Sequence, residues 1–146
     1  VSRIKDILTL DLFDVPVAAP STPGAMNYAR EIAAVMSQAL KECPFDRVEV
    51  AARMTRLLGR EISLSMLNAY TAESREMHNI SLERAIAFDA ATESFALLNF
   101  YSAKRGCKVM VGKDSLLAEL GRIDQMKADL ARQEKAIKNY LERGKV

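Results

Sequence analysis

The sequence predicts an all-α protein: a compact five-helix head containing a helix-turn-helix-like pair, followed by a long C-terminal helix of coiled-coil type. Three observations predict it. Apolar residues recur at helical spacing over most of the chain, with few of the alternating runs that mark strands. Polar caps and glycines punctuate those runs at helix-length intervals. From Leu116 onward the apolar residues settle into alternating steps of four and three, the seam of a coiled coil. The expected divisions are a flexible N-terminal arm over 1–25, the helical head over 26–112 and an oligomerisation helix over 113–146.

The arm opens with an apolar patch, Ile4, Ile7, Leu8, Leu10, Leu12 and Phe13, and passes into DVPVAAPSTPGA, whose prolines, Ser21 and Gly24 favour an extended tether. In the first head helix Tyr28, Ile32, Val35, Met36 and Leu40 face inward, and Cys43 and Pro44 end it. Asp46 caps the second, whose inward stripe is Val50, Ala51, Met54, Leu57 and Leu58, and Gly59 stops it. Ser63 caps the third, with Leu64, Leu67 and Tyr70 along one side and Ser65, Asn68, Ala69 and Ala72 along the other.

After a polar loop, SREMHN, Ser81 opens a fourth helix buried through Leu82, Ala85, Ile86, Phe88 and Ala90. Phe95, Leu97, Leu98, Phe100 and Tyr101 make a fifth, which stops at Gly106. CKVMVG, residues 107–112, is the one β-like or extended piece. Asp114 or Ser115 then caps the long terminal helix.

The small, uncharged face of the third helix suits a DNA major groove, where an Asn pairs bidentately with an adenine edge and an Ala methyl touches thymine. Ser65, Asn68 and Ala69 are the expected base-facing residues, and Arg47, Arg53, Arg56 and Arg60, on or just after the second helix, the expected phosphate contacts. Two amphipathic helices around a Gly turn are also the ordinary unit of a helical bundle, so the pattern fits plain core structure as well.

Net charge is +2, a weak basic bias for a partner of phosphates. Asp46, Glu49 and Glu61 nearly balance the four arginines, so a positive surface requires the two signs to sit on different faces. The basic excess lies in the C-terminal third, where a solvated helix face explains it. Cys43 and Cys107 are outside any CxxC spacing and read as free thiols. No apolar run approaches membrane-spanning length, and the opening VSRIKDILTL lacks the pattern of a secretory signal, so a cytoplasmic protein without membrane contact is expected.

No enzyme, cofactor or metal is expected. His78, the only histidine, lies in the polar loop with no cysteine or carboxylate at ligand spacing. Ser63, Ser65 and Ser81 lack a recognisable His partner, and Glu73 and Glu76, a helical turn apart, lack the apolar surroundings that raise a carboxylate pKa.

The seam of the terminal helix reads Leu116, Leu120, Ile123, Lys127, Leu130, Glu134, Ile137 and Leu141. A homodimer follows from it. A parallel pair would set Lys127 against Lys127 and Glu134 against Glu134, whereas an antiparallel pair centred near Leu130 and Ala131 brings Lys127 near the partner's Glu134. Folding of this helix back on its own head is the other arrangement.

The order of elements, with LLGREIS, ISLERAIAFDAATES and FALLNFYSAKRGCKVMVG, resembles the lambda-repressor-type helical domains of temperate phages, and the phage CII-type regulators most. The tail AELGRIDQMKADLARQEKAIKNYLERG resembles small proteins of Mu-like prophages. The resemblance implies a phage or prophage transcriptional regulator that binds double-stranded DNA as a dimer, with Ser63, Ser65 and Asn68 at base-facing positions. The arm suggests a different role: TLDLF, residues 9–13, is similar to the peptide by which bacterial proteins attach to the sliding clamp, with Leu10, Leu12 and Phe13 as its apolar anchors. On that reading the chain is a nonenzymatic adaptor.

Overall fold

The computed structural model describes residues 16–74 and 77–144, and all of its regular secondary structure is helical. The arm anchors Leu10, Leu12 and Phe13, and Glu76 of the paired acids, lie outside the described residues. The chain divides into two units, residues 1–109 and 110–146.

In the first unit, α1 (Ala29–Glu42) buries Ala33, Met36, Ala39 and Leu40. It ends because Pro44 disfavours helical backbone in the residue before it, and Cys43 is extended. α2 (Arg47–Leu58) is capped as its sequence requires: the Asp46 carboxylate accepts from the Glu49 amide at 2.8 Å. Gly59 closes it in the left-handed region at φ 66°. Val50, Ala51 and Met54 are buried, but Leu57 is 59% exposed. The stripe turns about Met54 toward half-buried Leu58, which leaves Leu57 on its outer edge.

α3 (Leu64–Tyr70) is capped by Ser63, whose hydroxyl accepts from the Met66 amide. α4 (Leu82–Ala91) is capped in the same way by Ser81. Its buried face is Ala87, Phe88, Asp89 and Ala91, with Ala85 partly covered. Leu82 and Ile86 are 78% and 65% exposed and Ala90 is exposed, contrary to the sequence expectation. Phe88, wholly buried, fixes the rotation: α4 packs chiefly on α2, and at 3.6 residues per turn Leu82, Ile86 and Ala90 fall on the far side.

α5 (Ala96–Lys104) packs on α1 and α4. Of its expected apolar core only Leu97 is fully buried. Phe100 meets Tyr28 edge to face, centroids 5.7 Å apart, and Lys104 pairs with Glu31 of α1 at 2.6 Å. That pairing raises the Lys104 pKa. The N-terminus of α5 takes its cap from another helix. Asp89 Oδ1 accepts from the Leu97 amide at 3.1 Å and Oδ2 from the Leu98 amide at 2.9 Å.

Residues 16–19 run past the end of α5, where the Ala19 amide donates to the Lys104 carbonyl at 3.0 Å. Gly106 permits this approach, since a Cβ there would lie 3.0 Å from the Ala18 nitrogen. Residues 107–112 are not helical, and no strand occurs among the described residues.

The second unit is dominated by α6 (Lys113–Arg143), 31 residues with none buried. It begins one residue before the expected caps, so Asp114 sits in the first turn, favourable to the helix dipole, and neither Asp114 nor Ser115 acts as N-cap. It carries short-range ion pairs, Arg122 with Glu119 and Lys138 with Glu134 among them.

Candidate nucleic-acid interface

The α2–α3 pair is held by a side chain, not only by packing. Thr55 Oγ1 on α2 accepts from the Ile62 amide at 2.9 Å, tying the turn over residues 59–63 back to the helix it leaves. Ile62 is itself buried, so the turn is pinned by both a hydrogen bond and an apolar anchor. Arg84 of α4 donates to the Tyr70 hydroxyl and fixes the other end of α3.

Viewed down its axis, α3 buries more than half of its circumference. Leu67, Ala69 and Tyr70 are buried and Met66 is half-buried, leaving an exposed arc of Leu64, Asn68 and Ser65, with Ser63 half-buried at the cap. Two sequence assignments change here. Ala69 is 7% exposed, so its methyl packs within the head and does not present to a base. Leu64, expected inward, takes the place on the open arc. Both changes follow from α3 being set into the head more deeply than a one-sided amphipathic helix.

Asn68 is not alone on that arc. Arg47 Nη1, in the first turn of α2, donates to Asn68 Oδ1 at 2.9 Å and to Thr71 Oγ1 at 3.0 Å. An amide oxygen has a second lone pair and the Asn68 nitrogen two donors, so the group retains capacity to read a base edge. Ser65 is exposed beside it.

The four arginines divide into different jobs. Arg47 is bonded to neutral groups and keeps its charge uncompensated by a carboxylate at those contacts. Arg56 pairs with Glu49 at 3.3 Å, and Arg60 pairs with Glu83. Both are surface pairs, worth little in water and readily exchanged for a phosphate. Arg53 departs from the expected role. Its guanidinium lies 3.4 Å from the centre of the Phe45 ring and bonds Glu93 and Glu49, each at 3.0 Å. These bonds, Glu93's first, raise its pKa and bind it to the corner between α4 and α5.

The partners Thr55, Thr71 and Glu93 were not singled out from the sequence, whereas Glu49 was expected to offset the arginine charge. Thr55 in mid-helix, four residues before the Gly stop, is the one that carried a signal, because a threonine there competes for backbone bonds. Ser63 and Ser81, weighed as nucleophiles, spend their oxygens on helix caps. His78 is exposed, and no cluster of three or more metal-ligating side chains occurs among the described residues. Among those residues no helix is long and apolar enough to cross a membrane. No protein-family model, curated protein or solved structure matches the chain.

Proposed function

We propose that the chain is a nonenzymatic, cytoplasmic transcriptional regulator of phage or prophage type that binds double-stranded DNA through α2 and α3 and works as a dimer. The observation that carries the reading is the exposed, uncharged pair Ser65 and Asn68 on a capped helix, with Arg47 lying against Asn68. Ser65 and Asn68 meet base edges, Ser63 lies at the margin of the contact, and Arg47, Arg56 and Arg60 take phosphates. Arg53 serves the scaffold. The mechanism is occupancy: two joined heads cover two half-sites and block or recruit the transcription machinery.

Retention of a random-sequence 30-bp duplex pool by the full chain, followed through rising salt, tests it. Steep loss of binding with salt, and an Asn68→Ala variant that loses about 1–3 kcal/mol of discrimination at one base position, support the reading. Arg56→Ala should weaken all sequences alike. No retention at low salt overturns it.

A second reading is the adaptor, which attaches through the arm residues Leu10, Leu12 and Phe13, and the head adds a further surface for it. Met26, Ile32, Leu82, Ile86, Leu98 and Tyr101 line an apolar pocket of about 430 Å³ on the head, a size and character suited to apolar anchors of a partner. Loss of binding to a purified bacterial sliding clamp on truncation of Leu12 and Phe13, in a chain that ignores DNA, would select it.

A further inference from the structure

The apolar seam of α6 is exposed along the helix. Over a length of roughly 46 Å at 1.5 Å per residue, Leu116, Leu120, Ile123, Leu130, Ile137 and Leu141 are all between 40% and 71% exposed. Most helical stability in proteins comes from covering such a face, so a second surface belongs there. The charges within the seam identify that surface and its direction.

The four-three spacing makes Leu120, Lys127, Glu134 and Leu141 the a positions and Leu116, Ile123, Leu130 and Ile137 the d positions. A parallel in-register pair stacks Lys127 on Lys127 and Glu134 on Glu134. It also sets Glu119 at g across from the partner's Asp124 at e, a further like-charge contact.

Reversing one helix removes the Glu134 stack and the Glu119–Asp124 contact. With a facing d in complete overlap, Leu116 meets the partner's Leu141, Leu120 the partner's Ile137, and Lys127 the partner's Leu130. The hole that receives Lys127 is then bordered by the partner's Lys127, the partner's Ala131 and the partner's Glu134, and the flexible Lys127 stem turns its ammonium from its own copy toward that Glu134; the two-fold axis repeats the contact. At the flanks Glu119 lies beside the partner's Tyr140 and Asp124 beside the partner's Ala131, so no like charges meet. The centre falls between Ala128 and Asp129, about two residues before the centre expected from the sequence. The exposed intrahelical bonds of Lys127 to Asp124 and Glu134 to Lys138 are weak enough to yield.

We propose that α6 pairs with α6 of a second copy, antiparallel and in complete overlap of its apolar layers, with reciprocal Lys127–Glu134 ion pairs across the seam. This deepens the dimer of the proposed function but rests on α6 alone, so its test does not depend on DNA.

The test uses the full chain with Cys107→Ser, coexpressed in two tag lengths. Leu120→Cys in one and Ile137→Cys in the other should give a mixed-tag disulfide dimer, and neither variant should cross-link with itself. A Leu120→Cys self-link overturns the direction, and a monomeric mass with no cross-link overturns the pairing. Lys127→Glu or Glu134→Lys alone should each raise the dimer dissociation constant about ten- to a hundredfold, and the double exchange should return it to within about threefold. Singles that behave as wild type, or a double no better than the singles, refute the ion pairs.

Discussion

Replacing Asp89 by Ala should destabilise the head, and the magnitude follows from what its carboxylate holds. Asp89 is 9% exposed and supplies the two acceptors for the Leu97 and Leu98 amides, at an α5 start where Phe95 offers no side-chain cap. Loss of a helix N-cap costs about 0.5–2 kcal/mol. Leu97 is buried, so its amide also loses access to water, which adds about 1–3 kcal/mol, whereas Leu98 is partly exposed and can be rehydrated. A total of about 1.5–5 kcal/mol is expected. Urea unfolding followed by near-ultraviolet circular dichroism of the tyrosines reads it, and a loss below about 0.5 kcal/mol would refute the capping role.

The pH dependence has a definite sign. Burial raises the Asp89 pKa above the ordinary carboxylate value, opposed by the Leu98 and Leu97 amides. Between the unfolded and the raised folded value the native chain binds more protons, so this residue's contribution to stability falls as pH rises through that window. Asp89→Asn keeps one acceptor, should lose less than Ala, and should lack that slope.

Three further substitutions probe the scaffold of the interface. Gly59→Ala places a Cβ at φ 66°, where no neighbour crowds it, so the cost is the left-handed backbone alone, about 1 kcal/mol in urea unfolding. Thr55→Val leaves the Ile62 amide without its acceptor and should cost about 1–3 kcal/mol while weakening retention of the duplex pool more than the same stability loss made elsewhere. Phe88→Ala empties the centre of the α2–α4 contact, and a loss of about 3–5 kcal/mol by chemical denaturation is expected.

Element type and order were legible because they are set locally. Asp46, Ser63 and Ser81 each cap the helix their position announces, and Gly59 stops α2, because these interactions span three or four residues of chain. The rotation of each helix was less legible. Ala69, Leu57, Leu82 and Ile86 all lie on faces other than those expected, since a helix with apolar residues around much of its circumference has several stripes that satisfy the same spacing.

The sequence by itself determined an all-helical chain, its caps and stops, and the seam of α6, because hydrogen bonds and periodicity within one element depend on its own residues. Only the tertiary structure decided that Phe88 sets the face of α4, that Asp89 caps α5, that Arg53 belongs to Phe45 and Glu93, and that Arg47 reaches Asn68. Those partners lie between 8 and 40 residues apart, at positions that only packing brings within 4 Å, and pattern along the chain carries no record of which side chain meets which across that gap.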